Sequence, residues 1–271
     1  MRRIEMFKQA MNEKRALKVI SGINNMDLER VEMIVSSAIE AKATAVDVAA
    51  SVEVIELSQR LISEMNSNIM LMVSSVVPLE LANAVNLYNV DAIELGNFEM
   101  LYEQGLTMTS SQIISLVEET LSLIKDHRSE ILFSVTIPGM LPISEQISLA
   151  RKLEDLHIDL IQTEGHVSTE LNTVLEGTRM LLNNAELTLA NTIELSKNIE
   201  LPIMTSSHIN TVTAQLAFAA GASVIGCGSC INKLETKISM LAVISNLMEI
   251  ANRNGLMMSV LNDSKLMTTL V

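Results

Sequence analysis

Tryptophan is absent from this chain, and two Tyr and four Phe hold aromatics to 2% of its 271 residues. Base-stacking platforms are therefore missing. Basic residues are also scarce, 19 against 32 acidic ones for a formal charge of −13. A surface so acidic does not track phosphates, which leaves nucleic acid without a binding face. Long apolar runs are missing too. Hydrophobic residues make up 48% of the chain, but no stretch approaches the roughly 18 unbroken apolar residues of a membrane helix, so the apolar surplus is assigned to a soluble interior and no membrane is expected.

Ten Gly and four Pro are too few and too scattered to form a linker. One domain is the simpler organisation, spanning residues 1–255, with the Met-rich tail 256–271 peripheral to it. Only two cysteines occur, Cys227 and Cys230, spaced as C-x-x-C. They cannot build a multi-bridge secreted framework, so a reducing compartment is the default. The basic opening Met1–Ala10 contains Glu5 and lacks a long apolar core and a small-residue cleavage site. It reads as a short helix of the mature protein rather than a targeting peptide.

What is present is an alternation of short β-branched runs with longer stretches of helical period, the pattern of βα units on a parallel sheet. Eight strands are predicted: Ala16–Ile23, Ala45–Ser51, Asn68–Val76, Ala92–Phe98, Ile131–Ile137, Leu160–Glu164, Pro202–Ser207 and Ser223–Gly228. Eight parallel strands imply an α/β fold, a single (β/α)8 TIM barrel with a short N-terminal helix. Leu28, Val31, Ile34, Val35, Ala38 and Ile39 share one helical face, as do Ile143, Ile147, Ala150 and Leu153. Asp27 suits a helix cap, Pro78 a first helical position, Ser110 the residues ahead of a helix over Ile113–Ile124, and Gly221 the passage from helix to last strand. Two connections exceed what one helix needs, Glu99–Ser110 and His166–Glu186. Following strands four and six, they are either lids over the mouth or extra helix that covers the rim.

Alternate residues of a barrel strand point inward, so polar groups that break the apolar rhythm face the mouth. Lys18, Asp47, Glu94, Ser134, Thr136, Gln162 and Glu164 do so. A lone buried charge costs several kcal/mol, which leaves two readings for one lysine among three acids. Lys18 and Asp47 form a structural ion pair between adjacent strands, or the same pair works catalytically, Lys18 as general base or Schiff-base nucleophile with Glu94 or Glu164 as proton partner. Mg²⁺ on Asp47, Glu94 and Glu164 is a further option for such a carboxylate set. His166 and His208 fall just past strands six and seven, His127 and His157 in predicted helices, and no metal-ligand spacing links them, so no metal is expected.

Strands seven and eight end in Thr205-Ser206-Ser207-His208 and Gly226-Cys227-Gly228-Ser229, each followed by helix-forming sequence. Small residues there let backbone N–H groups approach an anion, and barrels often hold a phosphate at this place. Ser206, Ser207, Gly226, Gly228 and Ser229 are thus candidate phosphate-binding residues. The C-x-x-C spacing leaves two alternatives open, redox or metal chemistry at the thiols and plain tight packing.

The segments Ala16-Leu-Lys-Val-Ile-Ser-Gly22, Ile93-Glu-Leu-Gly-Asn97, Ile161-Gln-Thr-Glu-Gly165, Pro202-Ile-Met-Thr-Ser-Ser207 and Gly226-Cys-Gly-Ser-Cys-Ile-Asn-Lys-Leu234 together resemble the family called hypothetical chloroplast reading frame twenty-three. The likeness runs in order over about residues 14–250. It implies a TIM-type barrel in a plastid or cyanobacterial setting, where a plastid-encoded chain needs no transit peptide, and it implies no reaction. The family pattern has Ser-Ser-Gly where this chain has Ser206-Ser207-His208, which removes a glycine from the strand-seven half of the phosphate cradle. It has small apolar residues where Cys227 and Cys230 stand, consistent with thiols as small core residues.

The expected function is binding of a phosphorylated small molecule at strands seven and eight, with lyase, aldolase-like or isomerase chemistry by Lys18, Asp47, Glu94 and Glu164. A flavin held by its phosphate in an oxidoreductase, and a non-catalytic metabolite-sensing or scaffold barrel, are the alternatives. Cofactor and oligomeric state stay open.

Overall fold

A computed structural model describes residues 2–102, 105–165 and 178–269. Helix α1 (Arg3–Asn12) precedes eight parallel strands, β1 (Ala16–Ile20), β2 (Ala45–Ala49), β3 (Met70–Ser75), β4 (Ala92–Leu95), β5 (Leu132–Ile137), β6 (Leu160–Thr163), β7 (Ile203–Thr205) and β8 (Val224–Cys227). Each strand pairs with the next, and β8 returns to β1 with Lys18 opposite Gly226, so the sheet closes as a barrel. The helices between strands are α2 (Leu28–Glu40), α3 (Val52–Glu64), α4 (Pro78–Tyr88), α5 (Glu99–Tyr102), α6 (Ser110–Leu123), α7 (Ile143–Asp155), α8 (Thr178–Ser196) and α9 (Ala214–Ala219). After β8 come the single turn α10 (Ser229–Asn232) and the long α11 (Lys237–Thr269).

All eight predicted strands exist, and each is shorter than its apolar run. The ladder ends where the backbone turns left-handed or a turn begins: Gly22 (φ +109°) follows β1 and Asn97 (φ +67°) follows β4. Asp27 caps α2 by accepting from the N–H groups of Glu29 and Arg30, and α4 opens on Pro78. Helix α6 starts at Ser110, three residues before the expected Ile113. Thr109 and Gln112 exchange hydrogen bonds in a capping box, and Ser110 is the first helical residue. Gly221 takes φ +114° where α9 hands over to β8, and a Cβ there would meet Ser196 at 2.7 Å.

Buried faces follow the helical period, with one local difference. Val31, Ile34, Val35, Ala38 and Ile39 are buried on α2, whereas Leu28 is exposed; on α7, Ile143 is exposed and the buried stripe is Gln146, Leu149, Ala150 and Leu153. Both exposed residues lead their helices, where the first turn stands clear of the barrel wall. His127 and His157 are not helical but lie in turns after α6 and α7.

The barrel interior is graded from apolar to polar. Apolar side chains from every strand, Ala16 on β1 round to Val224 on β8 with both Met70 and Met72 from β3, join a cluster with Ile4, Phe7, Ala10 and Met11 of α1. The N-terminal helix therefore plugs the bottom of the barrel. Two residues further along β1, β2, β4, β5, β6 and β7, on the same inward face, stand Lys18, Asp47, Glu94, Ser134, Gln162 and Ser206. The larger apolar cluster fills the space between strands and outer helices. Residues 256–269 continue α11 without a break, and Leu256, Met257, Val260 and Leu261 are exposed on it.

Candidate functional site

At the C-terminal end of the strands the polar interior opens into a cavity of about 390 Å³. Its floor carries Asp47, Glu94, Gln162 and Glu164, and its rim Asn97, Ser206, Ser207, His208, Gly228, Ser229 and Lys233. Period-two alternation delivers the floor residues, because each lies an even number of positions from an apolar residue of the lower layer.

Lys18 is fully buried and holds the floor together. Its Nζ donates to Glu94 Oε2 at 2.9 Å and lies 3.6 Å from Asp47 Oδ2. The partner expected from adjacency, Asp47, is thus the more distant one, since the four-carbon stem spans the interior to β4. Lys18 does not line the cavity, whereas Asp47, Glu94 and Glu164 do. Ser134 Oγ also donates to Glu94 Oε2 at 2.9 Å, and Ser74 Oγ donates to Asp47 Oδ1 at 2.5 Å. Burial pushes the Asp47 carboxyl from an ordinary 3.8 up to about 6; Lys18 opposes the rise, Glu94 adds to it, and the Ser74 hydrogen bond opposes it. The cluster therefore changes its charge close to neutral pH.

Glu164, at the end of β6, stands apart from Lys18. It accepts a hydrogen bond from Tyr102 Oη at 2.7 Å, a residue of α5 in the connection after β4. That connection does reach the mouth. The other long connection begins at 166, and residues 166–177, His166 among them, lie outside the described residues. Gly139 packs beneath Glu164: a Cβ on it would lie 2.1 Å from the Glu164 carbonyl oxygen. Tyr102, Lys233 and Asn97 were not legible as site residues. Tyr102 sits in a loop helix with no periodic signal, and its partner is 62 positions away.

The strand-seven and strand-eight loops carry the small residues as expected, with one difference in kind. Helix α10 is a single turn, so its aligned peptide dipoles supply little of the field a longer helix would give. Ser206, Ser207, Gly228 and Ser229 line the cavity; Gly226 lies just below, with its Cα hydrogens against Ser206, where a Cβ would meet Oγ at 2.8 Å. Among the described residues, eight that are not glycine have positive φ. Lys14, Lys42, Asn66, Asn89 and His157 close helices at the far end, while the other three, Asn97, Ser207 and His208, all line the cavity. Two successive left-handed residues without glycine cost of the order of 1–3 kcal/mol each, and such strain concentrates at functional sites.

Both thiols are free. Cys227 is buried in the core and donates to Cys230, which raises its own pKa, with burial adding to the rise; Cys230, half-buried, is lowered by accepting that hydrogen bond. Among the described residues no group of three or more His, Cys, Asp or Glu has the geometry to hold a metal ion, and no helix is long and apolar enough to cross a membrane.

A family model described as "Protein of unknown function (DUF561)" matches residues 2–256. The protein named uncharacterized protein ycf23 of Cyanidium caldarium is 36% identical over 240 residues, covering 88% of this chain and 91% of that protein. Its namesake in Cyanophora paradoxa is 33% identical over 237 residues, covering 88% and 93%. This chain belongs to the Ycf23 family. Ycf23 homologues come from plastid genomes.

Solved structures similar to this Ycf23-family chain are TIM barrels. The (S)-3-O-geranylgeranylglyceryl phosphate synthase of Thermoplasma acidophilum, in complex with substrate sn-glycerol-1-phosphate, aligns with a TM-score of 0.62 at 11% identity, over 93% of this chain and 98% of that one. A 3-hexulose-6-phosphate synthase aligns at 0.58 and 12%, over 87% and 99%. Thiamine phosphate pyrophosphorylase from Pyrococcus furiosus aligns at 0.57 and 15%, over 90% and 98%. At these identities the likeness establishes the fold.

Proposed function

We propose that this Ycf23-family barrel binds a small phosphate monoester at its cavity and moves a proton on it, as a lyase or isomerase does. The observation that carries this reading is Asp47, a cavity-lining carboxyl whose pKa of about 6 lies near working pH and which is backed by the buried Lys18–Glu94 pair. A general base is most effective when its pKa is close to ambient pH. Lys18 holds the cluster from below and stabilises its negative charge. Glu164, oriented by Tyr102, is the second carboxylate and exchanges a proton with a substrate oxygen.

The phosphate belongs at the loops after β7 and β8. Ser206, Ser207 and Ser229 offer hydroxyls, Gly226 and Gly228 leave room beside the backbone, and Lys233 adds a positive charge opposite the acidic floor. Two structural neighbours support this assignment, a synthase in complex with its substrate sn-glycerol-1-phosphate and a 3-hexulose-6-phosphate synthase. The flavin alternative has less support: among the described residues that line the cavity, the His208 imidazole is the one aromatic ring, so no broad stacking face awaits an isoalloxazine. Residence in a plastid fits the relatives, which come from plastid genomes.

Calorimetry with glycerol 3-phosphate and dihydroxyacetone phosphate tests binding. A ligand at about 100 times its Kd stabilises by about 2.7 kcal/mol and raises the melting temperature by several degrees. Lys233→Gln weakens binding several-fold. Asp47→Asn keeps binding but abolishes exchange of the C–H protons of dihydroxyacetone phosphate with D2O. Failure of every phosphate ester to bind at millimolar concentration overturns the phosphate assignment and favours a non-catalytic barrel.

A further inference from the structure

The cavity floor holds hydrogen-bond acceptors that no described side chain serves. Gln162 on β6 is 6% exposed, and its Nε2 donates to Thr136 Oγ1 at 3.1 Å, while its Oε1 is buried without a partner. On β4, both hydrogen bonds to Glu94 land on Oε2, so Oε1 receives none from the described residues. Across the cavity, Asn232 spends its Nδ2 on the carbonyls of Ile20 and Ser21, and its Oδ1 is buried without a partner. All three residues line the same cavity.

The donors near the floor are already engaged. Lys18 is held between Glu94 and Asp47, Ser74 donates to Asp47, Ser134 to Glu94 and Tyr102 to Glu164. Three acceptors from β4, β6 and the turn after β8 therefore surround a space with a surplus of lone pairs. Stranding a buried acceptor costs about 1–3 kcal/mol, so a ligand seated there is favoured when it brings its own donors.

From this geometry we infer that the part of the ligand lying on the floor is a polyol, with O–H groups on neighbouring carbons, and that Gln162 Oε1 selects it by accepting from one of them. This rests on the phosphate reading for the other end of the molecule, and the two are separable. One ammonium group would satisfy Glu94, but it would leave the neutral acceptors of Gln162 and Asn232, on separate elements, unserved. Several hydroxyls along a carbon chain reach all three. Gln162 thus acts as a specificity-determining residue that touches the substrate. Its orphaned oxygen is a stability cost retained at the site, for an apolar side chain of the same size would fill the position without it.

The test compares three probes of one length by calorimetry: ribitol 5-phosphate, n-pentyl phosphate and ribitol. Wild-type protein is expected to bind ribitol 5-phosphate at least about tenfold tighter than n-pentyl phosphate. Gln162→Met should remove most of that ratio, leave n-pentyl phosphate within about twofold, and melt no lower than wild type. Equal affinity of wild type for the two phosphates, or a ratio that survives in Gln162→Met, overturns the inference while leaving the phosphate reading in place. Ribitol binding as tightly as its phosphate overturns the phosphate reading and leaves the polyol inference standing. If none of the three binds, both fail.

Discussion

Asp47→Asn should become more stable relative to wild type as pH rises. In the folded chain the Asp47 carboxyl titrates at about 6, against 3.8 for the ordinary group, chiefly because burial penalises its charge. The folded state therefore keeps this proton after the unfolded state has lost it. The stability linked to Asp47 is fully present below about pH 4 and is lost as pH rises through about 6. At 1.36 kcal/mol per pKa unit, the displacement amounts to roughly 3 kcal/mol, of which about half is lost between about pH 5 and about pH 7.5. An Asn side chain cannot titrate, keeps an oxygen for Ser74 or Lys18, and leaves the Lys18–Glu94 bond of 2.9 Å in place. Urea denaturation of both proteins at those two pH values measures the difference directly. The variant should gain on wild type by somewhat over 1 kcal/mol at the higher pH. A difference independent of pH, or one that moves toward wild type, would refute the argument by showing that Lys18 outweighs burial.

Lys18→Met removes the cation between two buried carboxylates and should cost about 3–5 kcal/mol at neutral pH, with part of the loss recovered at about pH 5 as Asp47 is protonated; melting curves at the two pH values check this. In Gly139→Ala the new Cβ would press on the Glu164 carbonyl, so a loss of at least about 1–3 kcal/mol is expected, read as a lowered urea midpoint at unchanged slope. His208→Gly relieves a left-handed φ of +58° but loosens the unfolded chain. The two effects leave stability within about 1 kcal/mol of wild type, and glycerol 3-phosphate affinity in the same variant shows whether the imidazole obstructs the anion or helps to hold it.

Much of the barrel was legible because its signals are local. Val46-Asp47-Val48 and Ile93-Glu94-Leu95 alternate with period two, and that alternation alone places both carboxylates inside a closed parallel sheet. Caps were legible for the same reason, since Asp27 and Pro78 act on neighbours one to three positions away. The start of α6 was expected at Ile113 and lies at Ser110, because Thr109, Ser110 and Ser111 have similar capping chemistry and only the backbone turn selects among them. Leu28 and Ile143 carry the helical period yet stand exposed, as periodicity marks a face without saying how far the barrel wall extends.

What sequence by itself determined about this protein is the order of its elements, the inward set of polar residues and the end of the barrel where they gather, all consequences of short-range periodicity. Tertiary structure alone decided which of those residues meet. Lys18 pairs most closely with Glu94, 76 positions away across the barrel, Tyr102 reaches Glu164 from another loop, and the Gln162 oxygen is left without a donor. These outcomes depend on barrel curvature and side-chain reach, which bring side-chain atoms from distant positions within about 3 Å of one another. No local pattern encodes such distances.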